Sequence, residues 1–293
     1  MMPVPGDHHR VSSPPKQQYS SDIHVYGGSE ATKYAAALGD ILEGLRRYEF
    51  WSSLAWNDVR ARYRRSVIGE FWLTISLGIF VLSVGTVYAL LMNIPISEYL
   101  PHLTIGYTFW LLFSSLVMEG CQTFIAGSSS LRHHRTPLTA LVLRNVNRAF
   151  IAFAHNLFVL AVVLATFGPR QNWAFFLVIP ALALWGLNGM WLTMVVGIVC
   201  ARFRDVPQIV VNLMQVLFLI TPVLWSEKGA PETLQKIAFL NPLTHFLAIA
   251  REPLLGQAGQ AISWLAVGAV TIAGWAIAIS ALRLCRSRIP YWV

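Results

Sequence analysis

Of the 293 residues, 55% are hydrophobic and 12% charged, with a net charge of +8 at pH 7. That mix is too apolar for a soluble domain of this length, so the basic balance points to anionic lipid headgroups and away from nucleic acid. Cys121, Cys200 and Cys285 lie too far apart in sequence to offer a disulfide framework or a metal-binding spacing.

Residues 1–30 are rich in Pro, Ser, Gly and His and carry neither an apolar core nor a small-residue cleavage site. They predict a mobile cytoplasmic arm and no signal peptide. Within 31–69, Leu38, Ile41, Leu42, Leu45, Tyr48, Ala55, Val59 and Tyr63 recur at helical spacing, with Asp40, Glu43, Arg47, Asp58 and Arg62 largely elsewhere around the helix. This predicts an amphipathic helix in the headgroup layer, broken near Ser52 and Ser53, with Trp51 and Trp56 at interfacial depth.

Six apolar runs follow, Phe71 to Met92, Leu100 to Ala126, Ala149 to Phe167, Trp173 to Ala201, Val206 to Trp225 and Ala261 to Leu282. Each reaches the ~20 residues that a helix needs to cross ~30 Å of hydrocarbon, and none alternates as a barrel strand does. The expected fold is therefore all-α and integral to the membrane, with six transmembrane helices over residues 70–285 and a short cytoplasmic tail at 286–293. All but a handful of the 22 Lys and Arg fall in the amino-terminal segment, the second and fourth gaps and the tail. The positive-inside rule then puts both termini in the cytoplasm.

The second gap, Gly127 to Asn147, holds a Gly-Ser-Ser-Ser stretch, Arg132, His133, His134, Arg135 and then Thr136-Pro137. It predicts a brief helix with Thr136 as N-cap and serves either to dock a cytoplasmic partner or merely to orient its helices. The fifth gap predicts two short outer-side helices, one from Pro231 to Leu240 and one with Asn241 as N-cap and Pro242 at its first position. These pieces are too short to span, so they act either as a lid or as an interfacial anchor.

No Gly-Lys-Ser/Thr phosphate loop, His-Glu-x-x-His or Gly-x-Ser-x-Gly occurs, so neither nucleotide binding in the P-loop manner nor these catalytic schemes are expected of this chain. Catalytic and metal-ligating residues are therefore expected to be none. The intramembrane polar candidates are Glu119, a functional residue by default but one for which a structural partner is enough if it lies near the cytoplasmic end of its span, and His155, which suits an interhelical hydrogen bond better than proton transfer.

Arg62-Tyr63-Arg64-Arg65-Ser66-Val67-Ile68-Gly69 running into Phe71-Trp72-Leu73-Thr74 resembles the entry to the first span of ABC type-2 permeases, the membrane subunits of polysaccharide and O-antigen exporters. In the same order come Glu119-Gly120-Cys121, Phe153-Ala154-His155-Asn156-Leu157, Leu187-Asn188-Gly189-Met190-Trp191, Ala201-Arg202-Phe203-Arg204-Asp205-Val206-Pro207, Thr221-Pro222-Val223-Leu224-Trp225, Asn241-Pro242-Leu243 and Arg251-Glu252-Pro253. The resemblance covers residues 40 to 285; Glu70 departs from it, standing where the family has proline.

This resemblance implies a homodimer in the bacterial inner membrane working with two copies of a cytoplasmic ATP-binding subunit, which holds the ATP and Mg; the chain itself needs no cofactor. The cargo it implies is a polysaccharide on undecaprenyl diphosphate. Spans one and five would line the path, which makes Trp72, Phe80, Tyr88, Phe218 and Trp225 candidate channel aromatics. The amphipathic helix and the loop Arg132, His133, His134, Arg135 and Thr136 would receive the ATPase stroke. Arg60, Arg62, Arg64 and Arg65 lie where the diphosphate would approach, and arginine forks suit phosphate oxygens, although fixing orientation against bulk lipid would account for them equally. A drug exporter of the same superfamily is the nearest rival. A membrane glycosyltransferase or acyltransferase is disfavoured because the positioned acid or base it needs is missing, and a secondary transporter by the scarcity of intramembrane ionisable groups and of an evident repeat between the halves.

Overall fold

The computed structural model describes residues 30–64, 68–69, 71–133, 136–226 and 230–293, and of Glu30, Arg132 and His133 it describes the backbone alone. The expected arm before residue 30, and Arg65, His134 and Arg135, lie outside the described residues. The helices are α1 (Glu30–Arg46), α2 (Tyr48–Tyr63), α3 (Phe71–Leu91), α4 (Ile96–Gly120), α5 (Thr123–Ala126), α6 (Ser128–His133) and α7 (Leu138–Phe167). After a 3-10 turn at Trp173–Leu177 come α8 (Val178–Arg202), α9 (Val206–Ile220), α10 (Glu232–Leu240), α11 (Pro242–Leu254), α12 (Ala261–Cys285) and α13 (Ile289–Trp292). Among the described residues there is no strand.

Five of these segments have the length and apolar character to cross a membrane: α3, α4, α7, the 3-10 turn with α8, and α12. The run Val206 to Trp225 does not give one continuous helix. Its helix α9 stops at Ile220 after 15 residues, which at 1.5 Å per residue reaches only about 22 Å. Pro222 explains the stop: it disfavours helical torsions in the residue before it, and Thr221 is extended at φ −78°, ψ 135°.

Three other boundaries move for physical reasons. The amphipathic segment breaks at Arg47, between α1 and α2, and Ser52 and Ser53 lie inside α2. The brief helix expected after Thr136 is the first turn of α7, 30 residues long, so Arg144 and Arg148 are helical and not loop residues. Their charge hid the helix from a hydropathy reading, although they sit below the apolar stretch on the same axis. The second run ends as a helix at Gly120, and Thr123–Ala126 forms the separate turn α5.

The core is centred where α4 crosses α7 and α8. Phe109 stands edge-on to Phe153 at 5.1 Å and tilted against Trp185 at 5.4 Å, and Trp185 Nε1 donates to the Phe246 carbonyl at 3.2 Å. Helix α8 is locked to α12 by Asn188, whose Nδ2 donates to Thr271 Oγ1 at 2.7 Å while its Oδ1 accepts from Trp191 Nε1 at 2.7 Å. Gly274 of α12 lets that indole lie against the backbone: a Cβ there would sit 2.2 Å from Trp191 Cε2. Gly274→Ala is accordingly expected to lower the heat-unfolding midpoint of the detergent-purified protein, by a loss of about 1–3 kcal/mol from overpacking. An unchanged midpoint would refute this packing role.

Two expectations hold between α9 and α12. Helices α10 and α11 form where the two short helices were expected, and Asn241 Oδ1 accepts from Leu243 N at 3.0 Å as the N-cap, with Pro242 in the first turn. At the other end, residues 286–293 are not a loose tail: Ile289 is buried and Arg202 lies 5.4 Å from the Trp292 ring centre.

Candidate functional site

The first candidate region is a charge cluster where α2 meets α4 and α7. Asp58 on α2 accepts a two-pronged contact from Arg144, with Nε to Oδ2 and Nη2 to Oδ1 both at 2.6 Å. Arg148 lies one turn further along α7 and touches both carboxylates, with Nη1 3.2 Å from Asp58 Oδ2 and Nε 2.7 Å from Glu119 Oε2. Its Nη2 also donates to Asn145 Oδ1 at 3.1 Å, and Asn145 Nδ2 donates to the Glu119 carbonyl at 3.1 Å and to Thr123 Oγ1 at 2.6 Å. Arg62 completes the set from α2, with Nη2 3.0 Å from Glu119 Oε1.

Glu119 therefore has the structural partners its position requires. The Asp58, Glu119, Arg144 and Arg148 side chains keep 17–24% exposure, whereas Arg62 keeps 49%. Burial withdraws water from the Arg62 guanidinium and works against its charge, but the Glu119 hydrogen bond and attraction outweigh that and raise its pKa. The cluster rims a cavity of about 300 Å³ reaching in to Phe153 and Asn156. Of the four arginines expected at a headgroup, Arg62 is thus committed to Glu119, while Arg60 on α2 and Arg64 just after its end are exposed. Thr136 in the expected coupling loop is half-buried and donates to the Ser130 carbonyl at 3.4 Å.

His155 contacts its own helix, Nδ1 to the Ile151 carbonyl at 2.8 Å, with Phe71 edge-on at 6.1 Å. The interhelical hydrogen bond at this position uses its backbone: Thr74 Oγ1 donates to the His155 carbonyl at 3.2 Å.

The second region is the side of the bundle formed by α3 and α9, which flank α4. The expected channel aromatics divide there. Trp72 is exposed. Phe80 is stacked on Tyr107 of α4 at 4.0 Å, and Phe218 packs against Tyr107 at 6.1 Å and Trp110 at 5.2 Å. These two rings join α3 and α9 to α4; they fill the space between helices because an exposed aromatic in a three-helix crevice gains more by packing than by facing out. Tyr88 packs with Ala89, Tyr99 and Leu103, and Trp225 folds back so that Nε1 donates to the Leu219 carbonyl at 3.1 Å, satisfying an end of α9.

What the outer face of α9 presents instead is a line of amides. Gln208, Asn212 and Gln215 are all exposed, and at 100° per residue they fall within about 60° of one another, opposite the buried Met214. Ile209, Leu213 and Val216 form an exposed apolar line beside them. On α3 the exposed Ser76 and Ser83 lie two turns apart on one line with Trp72. The signal was available in the sequence as Gln-x-x-x-Asn-x-x-Gln inside an apolar run, but periodicity alone does not say which side of the helix is covered.

The turn Thr221–Trp225 after α9 is held from three directions. Tyr99 and His102 of α4 reach the Leu224 and Trp225 carbonyls, the buried Arg251 of α11 donates to the Pro222 carbonyl at 2.8 Å, and Asn241 Nδ2 donates to Thr221 Oγ1 at 2.9 Å. Helix α11 and its N-cap are thereby tied to the end of α9.

The arrangement comprises a charge clamp between α2, α4 and α7, an amide-lined face on α9 and a pinned turn after it. Residues 49–255 match the ABC-2 type transporter family. The chain belongs to that family. Among relatives of this ABC-2 chain, an O-antigen export system permease protein RfbA of Klebsiella pneumoniae is 25% identical over 67% of the chain and 76% of its own length. Another protein of that name, from Myxococcus xanthus, is 27% identical over 76% of the chain and 88% of its own length. As an ABC-2 type permease it is a multi-pass membrane subunit of an ABC transporter, and ATP is hydrolysed by a separate partner subunit.

Proposed function

We propose that this chain is the permease subunit of an ATP-driven exporter that moves a polysaccharide on undecaprenyl diphosphate, O-antigen or similar, from cytoplasm to periplasm across the bacterial inner membrane. It works as a homodimer with two ATP-binding subunits. The run Val206 to Trp225 makes the fifth of six crossings, with α9 completed by the pinned turn, and both termini lie in the cytoplasm, in keeping with the placing of the arginines.

The observation that carries this reading is the exposed line of Gln208, Asn212 and Gln215 within the otherwise apolar helix α9. Facing lipid, each amide would lose its water with nothing in exchange, at a cost of about 1–3 kcal/mol on protein mutational scales. Facing a second copy across a hydrated path, they replace water around sugar hydroxyls, and Ser76 and Ser83 of α3 do the same. The names of the relatives supply the cargo class. Arg60 on α2 and Arg64 just after it, both exposed, meet the diphosphate, while Arg62 belongs to the clamp; α10 and α11 close the outer end.

Cells lacking this chain are expected to accumulate lipid-linked glycan on the cytoplasmic side, and the tagged chain is expected to copurify with its ATP-binding subunit. Surface glycan at wild-type level in such cells would reject the reading, and loss of resistance to a small molecule alone would favour a drug exporter.

A further inference from the structure

Asp40 lies on the helix expected to float in the headgroup layer, yet it is 3% exposed. Both its oxygens are taken up by the start of α7. Oδ2 accepts from Leu138 N at 3.2 Å; Oδ1 accepts from Thr139 N at 3.0 Å and from the Thr139 hydroxyl at 2.8 Å. Arg286, in the turn after α12, brings Nε to 3.3 Å from Oδ2.

The amides of a first helical turn have no acceptor within their own helix. A cap ordinarily comes from the residue just before, but here that residue is Pro137, whose side chain has no oxygen. The acceptor is supplied from 98 residues away in sequence, and it carries a charge that suits the positive end of a helix. Two neighbouring contacts make the attachment rigid. A Cβ on Gly44, one turn along α1, would lie 2.7 Å from Thr139 Cβ, so the two backbones nearly touch; and the Arg283 guanidinium of α12 lies 4.4 Å from the Tyr34 ring centre. Helix α1 is therefore strapped to the ends of both α7 and α12.

Thr136 and Pro137 lead directly into the residues that Asp40 holds. A displacement of the first turn of α7 therefore either carries α1 with it or breaks these hydrogen bonds. We propose that Asp40 is a positioning residue for energy coupling: it makes α1, the first turn of α7 and the end of α12 one moving unit, so that force applied at the start of α7 by the ATP-binding subunit reaches the transmembrane helices. This rests on the exporter reading above.

The test uses the full permease with its ATP-binding subunit in proteoliposomes, measuring ATP hydrolysed and lipid-linked glycan translocated. Asp40→Asn keeps the shape and loses the charge. It is expected to assemble and to hydrolyse ATP within about twofold of wild type, while glycan moved per ATP falls about tenfold, within the range of a coupling free energy. Arg286→Gln leaves all three α7 donors in place and detaches only the α12 arm, so it covers the case in which the first variant fails to assemble; its ratio is expected to fall about threefold to fivefold. A wild-type ratio in the assembled variants, with only the yield of complex reduced, would make Asp40 a fold staple and overturn the proposal. A wild-type complex that hydrolyses ATP but moves no glycan would count instead against the exporter reading.

Discussion

Replacing Arg148 with alanine is expected to destabilise the permease by about 2–3 kcal/mol. Arg148 alone contacts Asp58 on α2 and Glu119 on α4 while also bonding Asn145 on its own helix. Its removal leaves two carboxylates, at 22% and 20% exposure, facing each other across the space it vacates. The figure stays at or below the low end of the ~3–5 kcal/mol for a broken buried pair, because Arg144 and Arg62 still serve one carboxylate each. Arg62→Gln, by contrast, should cost less than about 1 kcal/mol, since half-exposed pairs are screened by water. Heat-unfolding midpoints of the two purified variants decide the matter: equal shifts would mean that Arg148 is not the hub.

Replacing Gln208, Asn212 and Gln215 together with leucine is expected to abolish glycan export while leaving membrane insertion and ATPase assembly intact. Leucine matches hydrocarbon better than the amides do, so insertion has no reason to suffer. Sugar hydroxyls passing this face would lose their replacement for water. At about 1–3 kcal/mol per unsatisfied group and tenfold in rate per ~1.4 kcal/mol, the loss exceeds roughly a hundredfold. The matched control converts Ile209 and Val216, on the adjacent exposed line, to leucine and should export normally. Wild-type surface glycan from the triple-leucine strain would show that the amides do not meet cargo.

Local pattern was enough to find most elements. The long apolar runs at 71, 173 and 261 became helices because a chain in hydrocarbon must satisfy its backbone internally. Asn241-Pro242 marked a helix start correctly because capping depends on adjacent residues. The same local logic misled where two signals overlapped. Arg144 and Arg148 read as loop because charge suppresses hydropathy, and the fifth run read as one helix because Pro222 is a single residue in an apolar window.

The candidate site was legible in kind but not in arrangement. Glu119 stood out as a carboxylate within an apolar run, for which a structural partner was one of two readings; that the partners are Arg148 and Arg62 was not legible. Phe80 and Phe218 were singled out as aromatic, yet nothing in their spacing told that Tyr107 would cover them.

Composition and hydropathy by themselves determined that this is a multi-pass helical membrane protein with a basic side, since chain length against bilayer thickness and the cost of charge in lipid act on each segment separately. Only tertiary structure decided which polar groups are spent on the fold and which remain exposed. Asp40 is spent, capping a helix 98 residues away, whereas Gln208, Asn212 and Gln215 are not. The difference is set by which helices touch, and contacts between distant segments depend on complementary shape and charge on both partners at once, information that no single stretch of sequence contains.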